Sequence, residues 1–262
     1  MEPLTEEPRD GRWLQIIAFV ASAAVASAIL RFAWQKPLIA LGGLIAFLAF
    51  VGWRLFARRR LRKVLRSGDV YSVLERWSPS LERIPHPATM APLMTATAFA
   101  AYGWVEQARA AMAAAERGPA WEAALEHRLF LDALLLTFEG DREGALTQAH
   151  RLERLPLPPE DQVMRDRVLM LRVAVGALAR AFAHQAMPGD RGLLVAASES
   201  SPLVFWAMRY AAAVISIDQG DHPRAKALLA EAPHWPEESA FRAFHVEIAS
   251  LLLPGPAPST SS

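Results

Sequence analysis

Two apolar runs without a single charged residue, followed at once by a block of arginines, limit what this chain can fold into more than anything else in it. The first run covers residues 13–30 (WLQIIAFVASAAVASAIL) and the second covers 38–53 (LIALGGLIAFLAFVGW), with apolar character continuing past Arg54 to Ala57. A helix rises ~1.5 Å per residue, so about 20 residues cross the ~30 Å hydrocarbon core of a bilayer. The pattern predicts a transmembrane helical hairpin over 13–57, with Pro37 at the start of its second helix, where a missing N–H costs little. Small residues at Ser22, Ala23, Ala26, Ser27, Gly42 and Gly43 would let the two helices approach closely. The segment 1–12 carries four carboxylates against two arginines, which argues against a cleaved signal peptide, since that needs a basic start.

Charge sets the orientation. Residues 1–66 hold 11 Lys/Arg against 4 Asp/Glu, a net +7, whereas residues 67–262 hold 17 against 23, a net −6. The basic charge concentrates in the juxtamembrane segment 58–66, at Arg58, Arg59, Arg60, Arg62, Lys63 and Arg66. Basic residues stay on the cytoplasmic side, so both termini are expected there. The expected location is the inner membrane of a bacterial-type cell. Arg58, Arg59, Arg60, Arg62 and Lys63 are candidates for contact with anionic lipid headgroups, or else serve as a plain topology signal. The mildly acidic remainder argues against nucleic acid as a ligand. Cysteine is absent, which removes disulfides, thiolate metal sites and cysteine nucleophiles.

From residue 67 to about 252 the sequence reads as helix after helix, with Gly-Asp or Pro punctuation and no credible strand. Expected helices cover 69–77, 89–102 with 104–116, 120–139 with 142–154, 159–186, 191–199, 202–219 with 222–232, and 237–252. Residues 253–262 form a Pro/Ser-rich tail expected to be disordered. Glycines recur at Gly68, Gly103, Gly140, Gly189 and Gly220, spaced by 35, 37, 49 and 31 residues. Alanine stands seven before three of them (Ala96, Ala133, Ala213) and five after the same three (Ala108, Ala145, Ala225). Proline follows those three at sixteen (Pro119, Pro156, Pro236). The glycines suit left-handed helix ends, and Asp69, Asp141 and Asp221 suit the caps that follow.

This arrangement resembles the tetratricopeptide repeat, most clearly at Gly140-Asp141-Arg142-Glu143-Gly144-Ala145-Leu146-Thr147-Gln148-Ala149. The resemblance covers roughly residues 67–250. The aromatic that the family carries early in its first helix is missing, and the 49-residue spacing breaks the period. It implies an all-α fold in which the membrane hairpin precedes a TPR-like α-solenoid of antiparallel helix pairs. It also implies a concave groove lined by first helices. The positions that line it would include Leu93, His127, Phe130, Leu134, Tyr210 and Val214, a mostly apolar set suited to a partner helix. The alternative is a closed array in which neighbouring helices bury these side chains.

In the longest expected helix, Met164, Val168, Leu171, Val175, Leu178 and Phe182 make an apolar stripe, facing the core or a second copy. Arg165, Arg167, Arg172 and Arg180 lie off it. The seven histidines are scattered, and no phosphate loop, nucleophile elbow or paired-histidine helix motif is present. The expectation is therefore a binding protein and not an enzyme, with no cofactor, no metal and no evident small-molecule substrate. Its partners would be an unidentified protein and membrane lipid. The working function is a membrane-anchored adaptor or scaffold. The alternative is an accessory subunit whose hairpin makes the main contact.

Overall fold

A computed structural model of the protein describes residues 37–157 and 162–252. The expected first membrane run, the N-terminal segment and the tail 253–262 lie outside the described residues. Among the described residues the fold is all-α, with eleven α-helices, one short 3-10 turn and no strand. The chain divides into two compact units, Met1–Arg60 and Leu61–Ser262, and the boundary falls within the first described helix.

That helix, α1 (Pro37–Arg66), is the first described element, and the described residues begin with it. The part of α1 before Arg60 exposes Leu41, Ile45, Phe47, Leu48, Phe50, Trp53 and Phe56. Among the described residues no single helix is long and apolar enough to cross a membrane; one bent pair, Asp190–Ser200 with Pro202–Asp218 at 119°, passes by length and composition. Most of the second helix of that pair is buried in the protein's own core, which explains its hydropathy without lipid.

The second unit begins with the last turn of α1 and α2 (Val70–Leu81). Four hairpins follow: α3 (Pro87–Ala101) with α4 (Val105–Glu116), α5 (Leu125–Glu139) with α6 (Arg142–Glu153), α7 (Gln162–Phe182) with α8 (Asp190–Ser200), and α9 (Phe205–Asp218) with α10 (His222–Leu229). The chain closes with α11 (Ala240–Leu251). Local chemistry explains the breaks. Gly68, Gly103, Gly140, Gly189 and Gly220 all have φ between +73° and +95°, as their spacing led us to expect. Asp69, Asp141 and Asp221 each accept a backbone N–H three residues on, from Ser72, Gly144 and Arg224, and so cap α2, α6 and α10.

Two expected boundaries shift for identifiable reasons. α2 continues through Pro79 to Leu81, because Glu75, whose carbonyl loses its partner there, is exposed and water can replace the bond. The helix expected from 120 starts at Leu125. The Ala120 N–H is drawn to Thr89 Oγ1 at 3.0 Å, and Trp121 lies under the Arg128 guanidinium at 4.3 Å.

The recurring alanines let helices approach. Ala96, Ala133, Ala213, Ala108 and Ala225 have no exposed surface. The first helices of the hairpins pack in order, α3 on α5, α5 on α7 and α7 on α9, and α9 returns to α3. The array closes on itself, where stacked pairs would have left it open. α11 lies across the end where α3, α5 and α7 finish. Its Phe241 and Phe244 meet Phe138 and Phe244 also meets Phe182. The Ala240 N–H donates to the Gly103 carbonyl at 2.8 Å, and Ser239 Oγ donates to that of Tyr102 at 2.7 Å.

Candidate functional site

Closure of the ring sorts the residues expected to line a groove. Leu93, Leu134 and Tyr210 have 0% exposure. They are core residues here, not partner contacts, because the return of α9 to α3 covers the face that an open stack would present. Tyr210 stacks on Phe241 at 5.0 Å and accepts the Trp235 indole N–H at 2.7 Å. His245 Nδ1 lies 3.0 Å from the same hydroxyl, within hydrogen-bond reach of it. Burial pushes the Tyr210 hydroxyl well above its ordinary pKa, so it stays protonated.

His127 and Phe130 remain accessible at the opposite end of the ring from α11. His127 is exposed and Phe130 half-buried on the first turns of α5. Both line a cavity of about 310 Å³, walled by Phe130, Leu171, Leu203 and Val204, with Arg172 beside them. His127 and Met94 also line an adjoining apolar hollow of about 650 Å³ that includes Trp77, Leu81, Ile84 and Met90. The two make one groove joined at Met94 and His127.

Arg172 lies off the apolar stripe of its helix, yet it is 3% exposed. Its Nε donates to Glu126 at 2.9 Å and its Nη1 to the Leu155 carbonyl at 2.7 Å, with longer bonds to Pro156. It therefore ties α7 to the start of α5 and to the chain leaving α6. The apolar stripe of α7 faces the core only in its second half, at Val175 and Leu178; residues 162–167 are exposed. Arg180 is likewise turned inward. It forms a two-pronged pair with buried Asp190, at 2.9 and 2.7 Å, beside Glu153. Burial alone would raise the Asp190 pKa, but the hydrogen bonds from Arg180 and the Met187 N–H outweigh it and hold the carboxyl below its ordinary value.

Val214 sits at the other end of the ring, in a cleft beside α11 with Phe138, Phe182 and Phe244. The six expected groove residues are thus divided between the core and two separate hollows. At the rim of this cleft His184 Nδ1 lies 3.0 Å from both carboxylate oxygens of Asp218. In the sequence, His184 is one of seven scattered histidines. The expected helix 159–186 contains His184, whereas α7 ends at Phe182 and leaves His184 beyond it.

Of the basic block, Arg59, Arg60, Arg62 and Lys63 are exposed on α1 and form no ion pair among the described residues; the side chain of Arg58 lies outside them. Arg66 is different. It pairs with Glu199 at 2.9 Å and lies over the Phe205 ring at 4.0 Å. The carbonyls of Leu65 and Arg66, left without helical partners at the end of α1, accept from Tyr102 Oη at 2.7 Å and Trp206 Nε1 at 3.0 Å. The chain matches no family model, no curated protein and no solved structure.

Proposed function

We propose that this chain is a membrane-anchored helical-repeat adaptor that holds a protein partner at the cytoplasmic face of a bacterial-type inner membrane. One observation carries the reading. The apolar half of α1 bears seven exposed large hydrophobic side chains and runs straight into Arg59, Arg60, Arg62 and Lys63. At ~100° per residue these apolar groups point in every direction round the helix, so no one-sided packing could cover them. Lipid would, and each basic residue beside an anionic surface would add ~1 kcal/mol. The first helix of the hairpin would come from residues 13–30. The recurring glycines, alanines and aspartate caps support a TPR-like repeat, and the groove at His127, Phe130 and Met94 is where a partner's apolar residues would dock.

Two measurements test this. The full chain should pellet with membranes and resist extraction until detergent is added; a chain left in the supernatant after high-speed centrifugation would end the proposal. Phe130→Glu should then abolish partner capture from detergent-solubilised membranes without altering membrane association.

The complete burial of Leu93, Leu134 and Tyr210 favours a second reading, in which the hairpin is the main contact and the helical unit a passive or regulatory cap. Replacing the hairpin with an unrelated two-span anchor separates the two. Capture survives under the first reading and is lost under the second.

A further inference from the structure

We propose that the cleft between α11 and the ends of α5, α7 and α9 binds a free amino acid with an apolar side chain. The cleft encloses about 220 Å³ and its floor is apolar, with Phe138, Phe182, Val214 and Phe244 among its walls. An apolar cavity of ~150 Å³ holds one benzene ring. This one therefore has room for a phenyl group or a branched aliphatic chain, and for little more.

The rim chooses the class of ligand. It carries one guanidinium, Arg142, one imidazole, His184, and two carboxylates, Asp218 and Glu247. Asp218 is committed to His184 through both oxygens. Arg142 and Glu247 form no ion pair among the described residues, which leaves one cation and one anion unmatched. A zwitterion answers both, with its carboxylate on Arg142 and its ammonium on Glu247. A simple acid would face Glu247, and a simple amine would face Arg142.

His184 supplies an independent observation. Its φ is +56°, whereas the other left-handed positions among the described residues are glycines apart from His86. A side chain in that conformation costs ~1 kcal/mol and persists where the surroundings hold it in place. Here the left-handed residue closes the end of α7, its neighbour Gln185 donating its N–H to the Arg180 carbonyl at 2.9 Å, and Asp218 orients the imidazole through Nδ1, with Nε2 on its far side. The cleft lies at the other end of the ring from the His127–Phe130 groove, so the two readings can fail separately.

The test is calorimetric titration of the full chain in detergent with phenylalanine, leucine, phenethylamine and 3-phenylpropionate. Phenylalanine and leucine should bind saturably, and phenylalanine should bind at least about tenfold more tightly than the amine or the acid. Arg142→Gln lies on the exposed first turn of α6 and should leave the fold intact by circular dichroism. It should weaken phenylalanine about tenfold and bind phenethylamine more tightly than the parent does. No saturable binding of either amino acid, equal binding of phenylalanine and its amine or acid, or an Arg142→Gln variant that binds like the parent would each overturn the proposal.

Discussion

Arg172 and Asp190 show how single charges are placed in an alanine-rich interior. Arg172 satisfies two backbone carbonyls that no helix can reach, and Glu126 neutralises it. Arg172→Met keeps the volume and removes the donors. It should cost about 2–4 kcal/mol in denaturant unfolding, most of it from the stranded carbonyls and carboxylate. Asp190 makes a pH prediction. Its pKa is lowered in the folded protein, so its contribution is complete above the ordinary carboxylate value of 3.8 and fades as pH falls below it. Asp190→Asn should therefore destabilise by about 2 kcal/mol near neutrality. Unfolding curves of parent and variant should converge as pH falls below the ordinary carboxylate range; a gap that persisted there would refute the assignment.

Among the elements, α11 depends on one turn. A Cβ at Gly103 would stand 2.9 Å from Ser239 Oγ and 3.1 Å from the Phe241 nitrogen. Gly140 shares its left-handed φ but has nothing within 4 Å. Gly140→Ala should cost about 1 kcal/mol, the conformational penalty alone. Gly103→Ala should cost clearly more and expose the segment around Trp235 to protease, since behind the Ser239 hydroxyl stand the Phe241 and Ala240 backbone nitrogens, at 3.1 and 3.2 Å, which cannot swing away. Equal costs at the two glycines would mean that α11 does not rest on this turn. The elements themselves were legible in the sequence, because glycine, aspartate and alanine act locally: a left-handed turn, a cap and a close approach each need only a few neighbouring residues. The candidate sites were legible only in part. Phe130 and His127 follow from the repeat resemblance, which puts them on the first helix of a pair. The pairing of His184 with Asp218 joins residues 34 apart, and the inward turn of Arg172 depends on a carbonyl 17 residues earlier. No local pattern encodes either. The burial of Leu93 and Tyr210 depends on closure, which periodicity does not report.

For the whole helical unit, the segment after α10 ties the two ends of the ring together. Pro233 and Trp235 lie against Gly68, and Ser239 and Ala240 bond to Tyr102 and Gly103. In an open repeat array, stability is close to a sum of neighbouring terms and the ends can fray independently. Here unfolding should be a single transition, with coincident curves from tryptophan fluorescence and far-ultraviolet circular dichroism. Ending the chain after Glu238 should bare Phe138, Phe182 and Tyr210 and produce strong binding of a hydrophobic dye. A truncated chain that melted like the parent and bound no dye would show the last helix to be dispensable. The return of α9 to α3 also fixes the number of hairpins. A circle leaves no free rim on which a further hairpin could be stacked, so duplication of one, the usual route by which repeat proteins grow, would force the seam apart. Descendants of such a chain can vary their loops and the lining of their two hollows, but their circumference is set.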